Sequence, residues 1–426
     1  MRPKKESGIE WIGEIPSEWD IVATKHLFQV ISGATPKSEN PDYFDGELIW
    51  ITPADYKTED VYVSKGRRNI TEIGLNSCNT SLIPSGSIIF SKRAPIGSVA
   101  INKVELCTNQ GCLACVPRIA LSTKFYYYHM AVFTEQYNLL GSGTTFKEIS
   151  ATNFADFKLT FPPYPEQQVI SAYLDRQCTS VNKIIEKTRD SIEEYRNLRK
   201  AVITQTITGG IRGDRETKDS GSAWFGDIPV EWDAKKLKYQ FHIKKDIAGE
   251  EGHTVLSITQ RGIIPKDLSK NEGQLAESYA NYQLVNVGDF AMNHMDLLTG
   301  WIDISKYEGV TSPDYRVFVL DDTENNHSQY FLYLMQMCYS NRIFYGLGQG
   351  VSGLGRWRLQ ADKFLNFVIP IPPLDEQKEI AAYLDQKCSE IDALIAKKEQ
   401  FLTELENYKK SMIYEYVTGK KEVPHS

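Results

Sequence analysis

In two stretches of the chain the apolar residues fall at alternating steps of three and four. In the first they are Ile170, Leu174, Cys178, Val181, Ile185, Ile192, Tyr195 and Val202, with Thr188 in the same stripe. In the second they are Ile380, Leu384, Cys388, Ile391, Ile395, Leu402, Leu405 and Met412, interrupted by Lys398. Such a heptad stripe predicts a long helix with one apolar seam. Each stretch opens on a Pro-Pro pair followed by acidic residues and stops at a glycine, Gly209 or Gly419, the expected start and stop signals. A helix of about 42 residues rises roughly 63 Å, and a stripe that long needs a partner because packing supplies most helical stability.

The natural partner is the other copy. Pro162-Pro163-Tyr-Pro-Glu166-Gln167, Tyr173-Leu174-Asp175 and Cys178 recur as Pro372-Pro373-Leu-Asp-Glu376-Gln377, Tyr383-Leu384-Asp385 and Cys388, offset by 210 from Pro162 to Pro372 and still by 210 from Thr208 to Thr418. Upstream, the frame SGxxWxGxIPxEWD at 7–20 recurs at 220–233, offset by 213 from Trp11 to Trp224. The duplication therefore covers whole halves, each a globular part followed by a long helix. We expect an α+β fold: two similar mixed α/β modules, at 1–160 and 211–370, and two helices, at 161–210 and 371–426. The helices are expected to pair as one antiparallel, pseudo-two-fold coiled coil with a module at each end. Parallel pairing would need a long return connection, whereas the polar, Gly-rich stretch after Gly209 runs only to Gly221.

Inside the first module, Leu48 to Ile51, Ser87 to Phe90, Val99 to Ile101 and Cys112 to Val116 read as strands between Gly, Pro and Asn punctuation, and Phe125 to Leu140 reads as a helix capped near Ser122. The second follows the same plan with strands near Thr254 to Ile258, Asp289 to Ala291, Trp301 to Ile304 and Arg316 to Leu320, and a helix from Ser328 to Tyr345. The entry frames and helices match closely, but residues 30 to 140 and 243 to 347 have diverged. Shared parts read as scaffold; divergent parts read as two surfaces for two targets.

Composition narrows the chemistry. The chain has 426 residues, 41% hydrophobic and 24% charged, with no apolar run of membrane-spanning length and a charged start that is no secretory signal. A cytoplasmic location and no membrane association are the expectation. Cys112 and Cys115 form a CxxC, but no second ligand pair accompanies it, so buried strand thiols are expected rather than zinc. Phe161-Pro-Pro-Tyr164 has phenylalanine where a methyltransferase would need a hydrogen-bond acceptor. Gly348-Gln349-Gly350-Val-Ser352-Gly353 matches GxGxxG without the preceding strand and following acid of a dinucleotide site. The seven histidines show no ligand spacing. No catalytic residue or metal ligand is predicted.

What remains is basic and amide chemistry on loops. A net charge of −7 excludes an overall basic coat but not local patches. In the first module the candidates for DNA contact are Arg67, Arg68, Lys92, Arg93 and Gln110, with Thr145 and Lys147 on a glycine loop before the last strand. In the second they are Asn293, His294, Tyr315 and Arg316, with Gln349, Ser352, Arg356 and Arg358 on the corresponding loop. Arginine forks suit guanine and phosphate, and amides suit adenine. The competing explanation for each is a solvated surface charge.

These residues as a set resemble the specificity subunit of type I restriction-modification systems. The resemblance rests on the duplicated IPxEW entry, Gly33-Ala-Thr35-Pro36 with Trp50-Ile-Thr52, Ser91-Lys92-Arg93-Ala-Pro-Ile-Gly97, Asn109-Gln110-Gly111 and the twice-used PPxxEQxxIxxYLD. The second half departs at its centre, where Asn293-His294-Met-Asp replaces the KRAPIG stretch. The resemblance implies two target-recognition domains reading a split, non-palindromic site in double-stranded DNA, with the helices as spacer. It implies modification subunits carrying S-adenosylmethionine, a restriction subunit that translocates and cuts, and no cofactor or catalysis in this chain. A coiled-coil scaffold without DNA readout, or an enzyme with an unrecognised methyltransferase or nuclease site, are the alternatives.

Overall fold

The structure, a computed structural model, describes residues 2–143, 147–270, 276–350 and 357–424. It divides into two compact units, one formed by Met1–Arg189 with Gln400–Ser426 and the other by Asp190–Glu399. The long helices span Tyr164–Gly209 and Leu374–Val417, 46 and 44 residues.

In the first unit a five-stranded sheet has the order Phe28–Ser32, Cys112–Pro117, Ile88–Lys92, Ile96–Asn102 and Tyr62–Val63, antiparallel except for the last pair. Strand residues alternate faces, and both faces are covered. Ile88, Phe90, Leu113 and Cys115 join the main core with the helices, while Ile89, Cys112 and Ala114 join a second cluster with Ile51 and Tyr56. A small sheet of Cys107–Thr108, Phe44–Ile51 and Arg68–Ile70 flanks it. The expected helix from Phe125 to Leu140 is two helices, Thr123–Val132 and Thr134–Leu140. Phe133 leaves helical geometry at the junction, its ring packed among Phe157, His129 and Tyr414.

The second unit repeats the plan with four antiparallel strands in the order Phe241–Lys244, Arg316–Leu320, Phe290–Met292 and Ile302–Ile304. Its helix is also divided, into Ser328–Ser340 and Ile343–Leu347, with Arg342 in the left-handed region at φ +59°.

Within each unit the long helices run antiparallel. In the first, Tyr173 meets Tyr416, Asn182 accepts from Lys409 at 2.8 Å and Arg189 pairs with Glu406 at 2.9 Å, so numbers rise on one helix as they fall on the other. In the second, Arg196 pairs with Glu399 at 3.0 Å, Arg199 with Asp392 at 3.0 Å and Arg212 with Glu379 at 2.9 Å. The predicted seam is the buried one: Ile170, Leu174, Cys178, Val181, Ile185, Thr188 and Ile192 on one helix, and Ile380, Leu384, Cys388, Ile391 and Met412 on the other. Tyr195, Val202, Ile395, Leu402 and Leu405 are half-buried.

The duplicated motif is a clamp. Glu166 accepts from Arg2 at 2.8 Å and from the Trp19 indole at 2.9 Å; Glu376 accepts from Arg215 at 3.1 Å and from the Trp232 indole at 2.9 Å. Gln167 and Gln377 each take a backbone N–H, from Ser122 at 2.9 Å and His327 at 2.8 Å, and donate to Pro162 and Pro372. Asp175 holds Tyr128 at 2.8 Å, and Asp385 holds Tyr333 at 2.7 Å. The Pro-Pro-x-x-Glu-Gln and Tyr-Leu-Asp residues thus tie each long helix to its own entry segment and to the shorter helix of its own module.

The stretch after the first helix is not a free linker. Arg212 and Arg215 bind the second helix, and Thr217–Asp219 pairs with Asp227–Pro229 as Lys4–Glu6 pairs with Glu14–Pro16. Gly209 stays helical, and the left-handed terminator is Gly210 at φ +76°, matched by Gly419 at φ +69°. A Cβ on Gly419 would meet Pro16 at 2.3 Å, so this turn needs glycine for both backbone and space.

Candidate nucleic-acid interface

In the first unit, sheet geometry brings several candidates together. Lys92 ends its strand, donates its N–H to Gly111 at 2.9 Å, and so sits beside Gln110, whose amide oxygen accepts from Thr35. Gly33 must be glycine here, since a Cβ would lie 2.2 Å from the Thr108 carbonyl. Glu148 on the returning loop pairs with Lys92 at 2.8 Å and Arg93 at 3.4 Å, and places Lys147 next to them. Arg67 reaches the same rim, donating to the Ala54 carbonyl at 3.0 Å beside Asp55, while its side chain stays largely exposed. Arg68 is turned away to Asp45 at 3.2 Å, over the Phe44 ring at 3.9 Å. Thr145 lies outside the described residues.

In the second unit, Gln349–Gly350 and Trp357–Arg358 pair as two short antiparallel strands. Leu359 donates to the His294 carbonyl at 3.0 Å and accepts from the Arg316 guanidinium at 3.0 Å, which gathers His294, Arg316 and Arg358. Gln349 is exposed and accepts from Gln360 at 2.8 Å. Asn293 is spent locally, its side-chain oxygen accepting from Met295 and Asp296 N–H groups. Tyr315 is half-buried directly before Arg316. Ser352 and Arg356 lie outside the described residues.

The two sites differ electrostatically. Arg316 is 5% exposed and makes no ion pair among the described residues. Burial pushes its pKa down to about 10, opposed by Tyr339 and reinforced by Arg358. Burial, then Arg316 and Arg358, pushes the His294 imidazole down to about 3, so it is neutral at ordinary pH, with Nδ1 buried and unpartnered. In the first unit the Glu148 carboxylate is shared between two of the cations, Lys92 and Arg93.

Cys112 and Cys115, three apart on one strand, face opposite sides and join different cores, which excludes a shared metal. Burial pushes the Cys112 thiol up to about 12. No cluster of three His, Cys, Asp or Glu side chains suits a metal among the described residues. No helix among them is long and apolar enough to cross a membrane. The residue of this cluster that residue-by-residue reading missed is Glu148, which pairs with Lys92 and Arg93; its signal was an acid one position after Lys147.

Three comparisons bear on this geometry. Residues 16–194 and 269–405 match the family model described as type I restriction modification DNA specificity domain. The MjaIX type I restriction enzyme specificity subunit of Methanocaldococcus jannaschii is 34% identical over 195 residues, spanning 44% of this chain and 45% of that relative's length. The MjaVIII specificity subunit of the same organism is 23% identical across 98% of this chain and 96% of its own. A solved structure concerning complex assembly and conformational transition of the type I R-M system has the same fold, with TM-score 0.69 at 13% identity, covering 96% of this chain and 99% of that one.

Proposed function

The chain belongs to the type I restriction modification DNA specificity domain family, and from that premise we propose that its two units each read one part of a split, non-palindromic site in double-stranded DNA. The observation that carries this reading is a contrast. The clamps around Glu166 and Glu376 repeat bond for bond, while the loops at the sheet ends carry different side chains and opposite compensation of charge. A duplicated frame with two dissimilar polar surfaces suits recognition of two unlike half-sites on one duplex.

The chain acts in the cytoplasm as a non-catalytic subunit. Methyl transfer, with S-adenosylmethionine, belongs to partner modification subunits, and translocation and cleavage to a restriction subunit. Arg67, Lys92, Arg93, Gln110 and Lys147 serve the first half-site, and His294, Arg316, Gln349 and Arg358 the second. Thr145, Ser352 and Arg356 stay in the proposed contact set, with Arg68, Asn293 and Tyr315 as supporting residues.

Footprinting with the modification partner tests the reading: two protected segments separated by unprotected bases are expected. Arg93→Ala should weaken protection of one segment without unfolding the chain. A single continuous footprint, or none at low salt, would refute it.

A further inference from the structure

We propose that Arg316, Arg358 and His294 form an oxyanion site in the second unit, which a DNA phosphodiester meets at the exposed Arg358, and that the first unit fills the equivalent place with its own Glu148 carboxylate. This deepens the DNA-reading function and rests on it.

The equivalence comes from backbone bonds. Ile149 donates to the Lys92 carbonyl at 3.0 Å, and Leu359 donates to the His294 carbonyl at 3.0 Å. Both are fully buried, and both directly precede the cap residue of a short helix, Ala151–Asp156 or Ala361–Leu365. The offset is 210, as for the long helices, so Glu148 and Arg358 occupy matching positions. One is an acid, the other a base.

At that position the first unit closes a local circuit, since Glu148 takes Lys92 at 2.8 Å and Arg93 at 3.4 Å. A carboxylate bridging two cations supplies what a phosphate would supply. In the second unit no acid stands there. Among the described residues the Arg316 fork, with five donors, is met only by the Leu359 carbonyl at 3.0 Å, the Met292 sulfur at 3.8 Å and the Phe364 ring face at 5.0 Å. Beside it, His294 is nine-tenths buried with an orphaned ring nitrogen, and Arg358 is exposed at the rim. A buried cation without a carboxylate is costly unless an anion reaches it. The missing partner is an oxyanion, and the anion that a DNA reader meets at every step is the phosphodiester.

A guanine edge would also satisfy an arginine fork, so the experiment separates the two. Binding of the full chain to a non-target duplex is measured across a salt series for wild type, Arg358→Gln and Glu148→Gln. Thermal unfolding is followed in sulfate and in chloride at equal ionic strength. Each phosphate contact adds about 0.9 to the salt slope. Arg358→Gln should lower the slope by about 0.9, whereas Glu148→Gln, by freeing two cations, should raise it by about 0.9 or more. Sulfate should raise the melting temperature of wild type over chloride by more than its general salting-out effect, and Arg358→Gln should cut the difference back to that general effect.

An unchanged slope with altered sequence preference in Arg358→Gln would overturn the proposal in favour of a guanine contact. An Arg358-dependent sulfate response without any salt-dependent DNA binding would identify a free-anion site and sink the DNA source together with the function it rests on. Normal DNA binding by wild type with neither variant moving the slope would remove the oxyanion site and leave the function standing. Arg358 is exposed, so its variant tests the site even if substitutions at Arg316 prevent folding.

Discussion

At the scale of single residues the most consequential side chains are buried polar ones. Glu376 is 1% exposed between Arg215 and the Trp232 indole. Burial pushes its carboxyl up, but the bonds from Arg215 and Trp232 more than offset this and hold it below the usual range. Glu376→Gln leaves a guanidinium half-paired and should destabilise the second unit by about 3 kcal/mol in urea unfolding; a loss under about 1 kcal/mol would contradict the clamp. His129 is fully buried, accepting the Thr160 N–H at 3.2 Å through Nε2, and burial pushes it down to about 3. Its folded value lies below the unfolded one, so the stability it protects is complete above about pH 6.5 and falls as pH drops toward 3. The slope should approach about 1.36 kcal/mol per pH unit below pH 6, and His129→Gln should flatten the acid side of the stability profile. Much of this was hidden in the sequence. The pair Arg2 and Arg215 shares the offset of 213 with the entry frame, but its partners Glu166 and Glu376 lie more than a hundred positions away, beyond any local pattern.

At the scale of elements the legible parts were those with a period. The heptad seam was readable because burial on one face of a helix imposes spacing directly, and sequence and structure agree from Ile170 to Ile192 and from Ile380 to Ile391. The breaks at Phe133 and Arg342 were not readable, since neither carries glycine or proline; tertiary packing sets them. The polar run after Gly209 read as linker because its charges seek Glu376 and Glu379 on a distant element. Lys398, the interruption in the seam, lies 5.6 Å from the Tyr195 ring centroid. That contact is worth about 0.5–1 kcal/mol at such a site, less than burial of an apolar chain, so Lys398→Leu should raise the urea midpoint by an amount equivalent to about 1 kcal/mol. Leu384 is fully buried at the root of the second helix, and Leu384→Ala should cost about 2–5 kcal/mol. A seven-residue insertion in one long helix alone should break the ion-pair register in both units, read as loss of cooperative unfolding.

At the scale of the whole molecule the chain is one frame used twice with two different surfaces. The frame was legible because it is repeated, and a repeat tests its own alignment. The surfaces were legible only as candidates: their loops have no period, and the sign of charge at Glu148 and Arg358 becomes meaningful only when sheet hydrogen bonds show that they occupy the same place. The central claim is that the two surfaces read separate halves of one site. Mapping methylated bases in the genome of cells carrying the modification partner tests it, comparing this chain with one whose residues 241–358 are exchanged for the corresponding region of another family member. The account predicts a bipartite motif in which one half is unchanged and the other is replaced. A single uninterrupted motif, or a change in both halves, would contradict it.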